Sequence, residues 1–201
     1  RATFCVAAIT AYIALMNDPA AASTDFSSMT KCYSDGAPVA PGVYLARARA
    51  AQVRESWEGL GYYRRAANLH RLAREVVAEH DGVIPDDPAD LRRLPGVGAY
   101  TAGAVATFAY ERPAAAVDTN VARVLARVFF GKAPARVTLR KVTRLAEALQ
   151  PRRGRTAWAF NQALMELGAL VCTARTPKCA GCPVRSVCTW VERSGGACVK
   201  W

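Results

Sequence analysis

Apolar residues recur with a helical period over much of the chain. Between residues 69 and 77 they fall at i, i+3, i+4, i+7 and i+8, and charged residues take the other faces. Similar patterns predict four further helices, at about 99–110, 119–130, 139–149 and 157–171. No stretch alternates with period two, and no Asn-Gly or Asp-Gly hairpin signal is present. The pattern therefore predicts an all-α fold.

The first 44 residues follow a different pattern. Asp18-Pro19, Asp35-Gly36 and Pro41-Gly42 interrupt any long helix, and the segment contains no glutamate. The apolar run at 4–16 has 13 residues, which is too short to span a bilayer. A signal peptide built on this run is the disfavoured alternative.

Basic residues outnumber acidic ones along the chain. The 27 Lys and Arg against 16 Asp and Glu give a formal net charge of +11, and arginine supplies most of the excess. Its planar guanidinium group suits phosphates, so we expect a nucleic-acid partner. An arginine-heavy, GC-rich genome is the alternative that charge alone leaves open.

The stretch LPGVGAYTAGAVA, residues 94–106, places a proline and two glycines in a tight turn before a helix of small residues. Gly96 and Gly98 let another molecule approach the main chain closely. The first amides of the following helix are unpaired, and together these features would form a phosphate pocket. An ordinary helix-to-helix turn with a glycine C-cap explains the turn equally well.

Four of the seven cysteines lie near the C terminus with the spacing C-x6-C-x2-C-x5-C: Cys172, Cys179, Cys182 and Cys188. Thiolates this close along the chain can hold zinc or an iron–sulfur cluster. Because only one C-x2-C pair is present, the spacing favours a four-iron cluster. The odd count argues against a disulfide framework and for a reducing compartment. The other cysteines are expected to be structural or free: Cys5, Cys32 and Cys198.

These motifs together resemble the helix–hairpin–helix DNA glycosylase superfamily. LPGVG resembles the family's hairpin, and VDTN at 117–120 resembles its loop that ends in an aspartate. The cysteine spacing is similar to that of the endonuclease III and adenine glycosylase branch. WEGLGYYRRAANLHRLA at 57–73 and FNQALMELGALVC at 160–172 resemble the adenine DNA glycosylases of MutY type. The resemblance covers about 45–189.

The resemblance implies two helical lobes around a DNA-binding cleft. Residues 45–133 would carry the helix–hairpin–helix motif, and residues 134–190 would end in a loop that holds a [4Fe-4S] cluster. Residues 1–44 would form an atypical N-terminal segment and 191–201 a tail.

The activity implied is base-excision repair. Such an enzyme flips adenine, mispaired with 8-oxoguanine or guanine, out of the duplex and hydrolyses its N-glycosidic bond. Double-stranded DNA would be the partner of a monomeric protein that is cytoplasmic, nucleoid-associated and without a membrane association.

The resemblance also assigns catalytic roles. Asp118 matches the aspartate that stabilises positive charge on the sugar, and Asn120 matches a position that hydrogen-bonds within the site. Asp118 is in addition a good helix N-cap. Tyr100 replaces the lysine that attacks the sugar in the lyase branch, which implies a glycosylase without strong lyase activity. A core aromatic is the alternative role for Tyr100.

Binding roles follow from the same comparison. The hairpin residues Gly96, Val97 and Gly98 would bind a DNA phosphate. Tyr62 matches a residue that wedges into the base stack, or alternatively packs the turn at 59–61. Gln162 matches the residue that reads the edge of adenine, because an amide both donates and accepts. Four arginines are candidates for supporting charge at the phosphate: Arg64, Arg65, Arg123 and Arg127.

Two departures from the family pattern matter. The family's general acid is a glutamate in an early helix, but ungapped counting places Asn17 there, with Asp18 adjacent. Losing that acid would remove ~10²–10⁴ in rate, so a DNA-binding scaffold without turnover is the second hypothesis. A thymine or uracil mismatch glycosylase is the third. The sequence ends 13 residues after Cys188, so we expect no 8-oxoguanine recognition domain, which leaves the partner base open.

Overall fold

A computed structural model describes residues 41–195. Helices and turns make up this range, and it contains no strand, which confirms the all-α prediction. No helix within it is long and apolar enough to cross a membrane. The sequence-based expectations for Cys5, Asn17, Asp18, Cys32 and Cys198 lie outside the described residues.

The described residues divide into two compact units, one up to Val105 and one from Ala106 onward. This boundary differs from the 133/134 boundary that the resemblance implies for the two lobes. The lobes at 45–133 and 134–190 therefore remain a prediction about functional organisation. One helix begins at Pro41, within the expected N-terminal segment, and another ends at Arg193, within the expected tail. The bounds of that segment and of the tail stay predictions.

In the first unit, two short helices pack on the longest helix. Helix α1 (Pro41–Arg47) and helix α2 (Ala50–Ser56) both pack on helix α3 (Tyr63–Glu79). The short helix α4 (Pro88–Leu91) precedes helix α5 (Ala99–Tyr110), which runs across the unit boundary. Four residues of the predicted apolar stripe are buried on α3: Leu69, Leu72, Ala73 and Val76.

The hairpin turn between α4 and α5 requires glycine at one position. Gly96 has φ +79°, a left-handed backbone conformation that favours glycine. A Cβ atom there would lie 2.7 Å from the Cβ of Asn68 on α3. The Val97 amide donates to the Leu94 carbonyl at 3.1 Å, and the Gly98 carbonyl accepts from Ala102 at 2.9 Å. The turn is thus closed by its own backbone, with Gly96 and Gly98 exposed.

One helix organises the second unit. Helix α6 (Thr119–Phe130) contacts helix α7 (Leu139–Leu149), helix α8 (Gly154–Glu166) and helix α9 (Thr189–Arg193). It also contacts the π-helical segment Leu167–Val171, which continues α8. Val121 and Leu125 of α6 form a buried cluster with Val142 and Ala146 of α7. The predicted bounds of α5, α6 and α7 are confirmed, whereas the fifth predicted helix begins earlier, at Gly154, and its last turn is π-helical.

Replacement of Leu125 by alanine tests this core. Leu125 is completely buried, so Leu125→Ala removes apolar contacts and leaves a cavity that costs about 2–5 kcal/mol of unfolding free energy. Leu139 of α7 is 64% exposed, so the matched Leu139→Ala variant is expected to change stability by only about 0.5 kcal/mol. Urea unfolding of both variants measures the difference. Equal losses would show that α6 is not the centre of this unit.

Candidate active site and cluster loop

Asp118 caps the N terminus of α6. Its Oδ1 accepts a hydrogen bond from the Val121 amide at 2.7 Å, and its Oδ2 accepts one from Asn120 Nδ2 at 3.0 Å. The expected N-cap is confirmed. Because each carboxylate oxygen has a donor while the residue stays half-buried, the carboxylate has a fixed orientation and can still be reached by another molecule.

Arg123 extends this arrangement by one helical turn. Its Nη2 donates to Asn120 Oδ1 at 2.9 Å and to the Gly168 carbonyl at 2.7 Å. Its Nε donates to the Cys172 carbonyl at 2.8 Å. The Asp118 carboxylate and the backbone of the first motif cysteine are therefore joined through two intervening side chains, Asn120 and Arg123.

Gly168 permits the close approach of the π-helical segment to α6. A Cβ atom at this position would lie 2.8 Å from the Asn120 Cβ and 3.1 Å from the Asn120 backbone carbonyl. Real Cβ atoms essentially never come within 3.0 Å of another heavy atom, so any larger residue would push Asn120 aside. The orientation of Asp118 depends on that same Asn120 side chain.

Arg127 lies one turn further along α6 and is buried. Its Nη1 donates to the Thr173 carbonyl at 2.8 Å and to Cys172 Sγ at 3.4 Å, and its Nη2 donates to the Ala174 carbonyl at 2.9 Å. Its Nε has no hydrogen-bond partner, and among the described residues no carboxylate pairs with it. The expectation that Arg127 supports a DNA phosphate is wrong, because the side chain is only 2% exposed.

The four motif cysteines line one cavity, together with Arg127 and the Trp190 ring. Cys172, Cys182 and Cys188 are free thiols. Within residues 41–195, no three His, Cys, Asp or Glu side chains gather closely enough to hold a single metal ion.

The surroundings of this cavity fit an anionic group. A buried cation without a carboxylate partner is costly unless another negative charge compensates it. Four thiolates around a [4Fe-4S] core carry a net negative charge, and Arg127 borders their cavity with its Nε–H unused. The donor set and its counter-charge therefore fit an iron–sulfur cluster.

The residues expected to contact DNA lie in the first unit and are exposed. Tyr62 is 76% exposed, adopts φ +47° and stacks with the Arg65 guanidinium, 4.8 Å from its ring centre. It does not pack against the turn before it. Tyr100 is 36% exposed, so it is not the core aromatic that was the alternative. Both side chains remain candidates for binding and catalysis.

Gln162 lies on α8, within the second unit. Its Nε2 donates to Glu166 Oε1 at 2.8 Å, and its side chain is half-buried. The second unit thus contains Asp118, Asn120, Gln162 and the four cysteines, while Tyr62, Tyr100 and the hairpin belong to the first.

Two arginines have an anchoring role that differs from the sequence-based expectation. The expectation places Arg123 and Arg127 among the charges that support a phosphate, whereas both side chains bind backbone carbonyls of the second unit. Asn120, Arg123 and Arg127 are spaced i, i+3 and i+7, so they share one face of a helix whose other faces are apolar. That spacing is the sequence signal for a polar helix face that packs against another part of the protein.

Comparison with known proteins decides the family. Residues 41–151 match the family model described as HhH-GPD superfamily base excision DNA repair protein. The chain belongs to this superfamily. Residues 172–188, which run from the first to the last motif cysteine, match the iron–sulfur binding domain of endonuclease III. The predicted [4Fe-4S] cofactor is thereby confirmed.

Curated relatives narrow the comparison within the superfamily. An adenine DNA glycosylase of Mycolicibacterium smegmatis is 49% identical over 151 residues, 75% of this chain and 50% of that protein. The human adenine DNA glycosylase is 45% identical over 153 residues, 74% of this chain and 28% of that protein. The chain therefore spans at most half the length of these relatives.

Solved structures of the superfamily share the fold. A thermostable thymine-DNA glycosylase superposes with a TM-score of 0.66 at 32% identity, covering 74% of this chain and 69% of that one. A non-covalent endonuclease III–DNA complex superposes with a TM-score of 0.68 at 22% identity, covering 98% and 91%. At that lower identity, the second match supports the fold alone.

Replacement of Arg127 tests its role in retaining the cluster. Arg127→Met keeps most of the side-chain length but removes the charge and every N–H donor. We expect cluster retention to weaken by about 10- to 100-fold, the range found when groups that support metal ligands are lost. Iron and acid-labile sulfide per chain, followed during a chelator challenge, measure retention. Arg175→Met, an exposed change on the same loop, is the control and should match the parent.

Proposed function

We propose that this protein is an adenine-specific DNA glycosylase of base-excision repair. It would flip adenine mispaired with 8-oxoguanine or guanine from the duplex and hydrolyse the N-glycosidic bond. The observation that carries the proposal is the fixed, reachable carboxylate of Asp118 at the N terminus of α6. The named relatives, which are 45–49% identical to this chain, support adenine as the base removed.

Asp118 would act on the sugar. Cleavage of the N-glycosidic bond builds positive charge on the sugar ring, as in glycoside hydrolysis generally. Asn120 and the Val121 amide hold both carboxylate oxygens in place, so the negative charge is oriented before the reaction begins. A group that needs no reorganisation stabilises the developing charge most effectively.

Tyr100 determines which nucleophile can take part. A phenol cannot form the imine by which a lysine at this position would attack the sugar. Water is then the nucleophile, and the product is an intact DNA strand with a missing base. This supports a hydrolase over a strand-cleaving lyase.

Gln162 would read the flipped base. Its amide offers one acceptor and two donors, which suits the edge of adenine, itself an acceptor beside a donor. Its Nε2 already donates to Glu166 Oε1 at 2.8 Å. This hydrogen bond would help to hold the amide in one orientation while it contacts the base.

DNA binding is supported by the distribution of charge. Residues 106–195 contain fifteen Lys and Arg against five Asp and Glu, whereas residues 41–105 contain nine against eight. We propose that the second unit supplies most of the attraction to phosphates. In the first unit, the exposed Gly96 and Gly98 would bind one phosphate through their backbone amides, in the turn that Val97 anchors, and Tyr62 would insert into the base stack.

The four motif cysteines would hold the cluster and thereby shape the loop between them. When bound, the cluster cross-links the loop through its iron–thiolate bonds. The chain's own contribution is to present basic side chains from this ordered loop to DNA: Arg175, Lys178 and Arg185. This role needs no electron transfer.

The leaving adenine needs a proton. Asn17, which lies outside the described residues, stands at the family's glutamate position in ungapped counting and has no acidic proton. We therefore propose that another group protonates the base.

The protein would act as a monomer wherever chromosomal DNA lies, which is the cytoplasmic nucleoid in a bacterium.

Single-turnover release of adenine tests the proposed function. The substrate is a duplex with adenine opposite 8-oxoguanine, and duplexes with A·G and T·G mispairs are compared. We expect the parent to release adenine and Asp118→Asn to be slower by about 10²-fold or more. Tight binding without release would replace the proposal by a scaffold without turnover. Release of thymine instead would identify a thymine mismatch glycosylase.

The salt dependence of DNA binding tests the electrostatic contribution. The logarithm of the association constant should fall with log[salt] by about 0.9 for each phosphate neutralised. Arg65→Ala, beside the exposed Tyr62, is expected to reduce the slope by about 1. Arg74→Ala is the control, because Arg74 is equally exposed but lies more than two turns further along α3. A curve that is flat in salt would contradict the proposed basic surface.

A further inference from the structure

The segment that connects α5 to α6, residues 111–117, is not helical and leads directly to Asp118. Hydrogen bonds from Asn120 and Val121 hold Asp118 from its C-terminal side. A non-helical backbone without supporting contacts would leave the carboxylate free to move. The position of Asp118 therefore also depends on what holds the segment before it.

Asn161 of α8 supplies that support. Its side chain is 1% exposed, and its Nδ2 donates to the Ala114 carbonyl at 3.0 Å while its Oδ1 accepts from the Ala116 amide at 3.1 Å. A carbonyl and an amide two residues apart are the pair that a neighbouring β-strand would engage. Here a single amide side chain takes the place of that strand.

The Asn161 amide is itself fixed. The two hydrogens of Nδ2 are shared among three acceptors, because the Ala157 carbonyl of its own helix and Gln150 Oε1 also lie 2.9 Å from the nitrogen. A further contact of 3.4 Å runs from Gln150 Nε2 back to Asn161 Oδ1. A buried amide that satisfies both its donor and its acceptor in this way has one orientation.

The remaining contacts of the segment duplicate this support at the Ala114 carbonyl but not at the Ala116 amide. Thr107 Oγ1 bonds the Arg112 and Ala114 carbonyls at 3.1 and 2.6 Å, which fixes the beginning of the segment. Ala115 and Val117 pack against the α6–α7 core. Such apolar contacts bury the side chains but do not fix the orientation of the backbone as a hydrogen bond does. Among the described hydrogen bonds, the bond to the Ala116 amide is the last from another helix before Asp118.

We infer that Asn161 is a positioning residue for the glycosylase reaction. It fixes the backbone that carries Asp118 to α8, the helix on which the adjacent Gln162 would read the base. The separation between the base-reading amide and the charge-stabilising carboxylate is thus set through one buried side chain. This inference rests on the proposed function, although the anchoring itself can be measured without any chemistry.

Asn161→Leu is the principal test, because leucine has a similar volume but forms no hydrogen bond. A displacement of about 1 Å at a reacting group costs on the order of 10²-fold in rate, so we expect a loss of that size in single-turnover adenine release. The DNA dissociation constant should stay within about threefold of the parent, because no DNA-facing residue has changed. Amide exchange in the peptide that covers 112–118 should become faster.

Gln150→Ala is the matched control. It removes the neighbouring amide, while the Ala157 carbonyl still holds the Asn161 side chain and the bonds to Ala114 and Ala116 stay in place. Its release rate and its amide exchange at 112–118 should stay within about threefold of the parent. If Asn161→Leu is no slower than this control, the positioning role is overturned.

Asn161→Asp covers the case in which the leucine variant does not fold. An ionised carboxylate keeps the acceptor for the Ala116 amide but cannot donate to the Ala114 carbonyl, whereas the protonated form can. The rate relative to the parent at the same pH should therefore rise as the pH is lowered. A ratio that is flat in pH would exclude the bond to Ala114 as the cause.

The two proposals fail in different ways. A parent protein that binds DNA but releases no base would overturn the proposed function, and amide exchange at 112–118 would still decide whether Asn161 anchors the segment. A parent that releases adenine, combined with unchanged exchange and rate in Asn161→Leu, would overturn the positioning role alone.

Discussion

The second unit depends on hydrogen bonds that α6 donates to backbone carbonyls of an irregular loop. Residues 172–174 form neither a helix nor a strand, so their carbonyls need donors from elsewhere. Arg123 and Arg127, one turn apart on α6, donate three bonds to these carbonyls, one to the Gly168 carbonyl and one to the Cys172 thiol. Guanidinium groups suit this role because each offers several donors in a rigid plane.

The same helix also carries the candidate catalytic carboxylate at its first turn. Asp118, Arg123 and Arg127 therefore share one rigid support whose opposite face, at Val121 and Leu125, is packed in the apolar core. The candidate catalytic carboxylate at one end of α6 and the arginine that borders the cysteine cavity at the other are held in a fixed relation by this one helix. Core packing thus serves both sites at once.

Much of this arrangement could be predicted from the sequence. Apolar periodicity and the cap at Asp118 gave the bounds of α6 to the residue, and the cysteine spacing alone favoured the cluster over zinc. These are local signals, set by residues within a few turns of one another.

The remaining features depend on tertiary context. A helical wheel shows that Arg123 and Arg127 share a face, but it does not show whether that face meets solvent or another segment. Asn161 is a polar residue inside an amphipathic pattern, and its partners lie 45 and 47 residues away in the sequence. The unit boundary inside α5 is likewise invisible, because nothing in the small-residue helix marks it.

The π-helical segment Leu167–Val171 changes the directions in which the side chains before and after it point. In an α-helix each residue advances the direction of the next side chain by about 100°, and a π-turn absorbs one extra residue without breaking the helix. The segment lies between Gln162 and Cys172, so the angular offset between them includes that extra residue. Because the π-turn absorbs that extra residue, a one-residue deletion within the segment would restore ordinary winding and leave the direction of the Cys172 thiol unchanged. A one-residue deletion in the regular turns of α8 would instead rotate the Cys172 thiol by about 100° relative to the start of the helix, away from its cavity. The length of α8 is therefore more tightly constrained in its regular turns than in its π-helical turn.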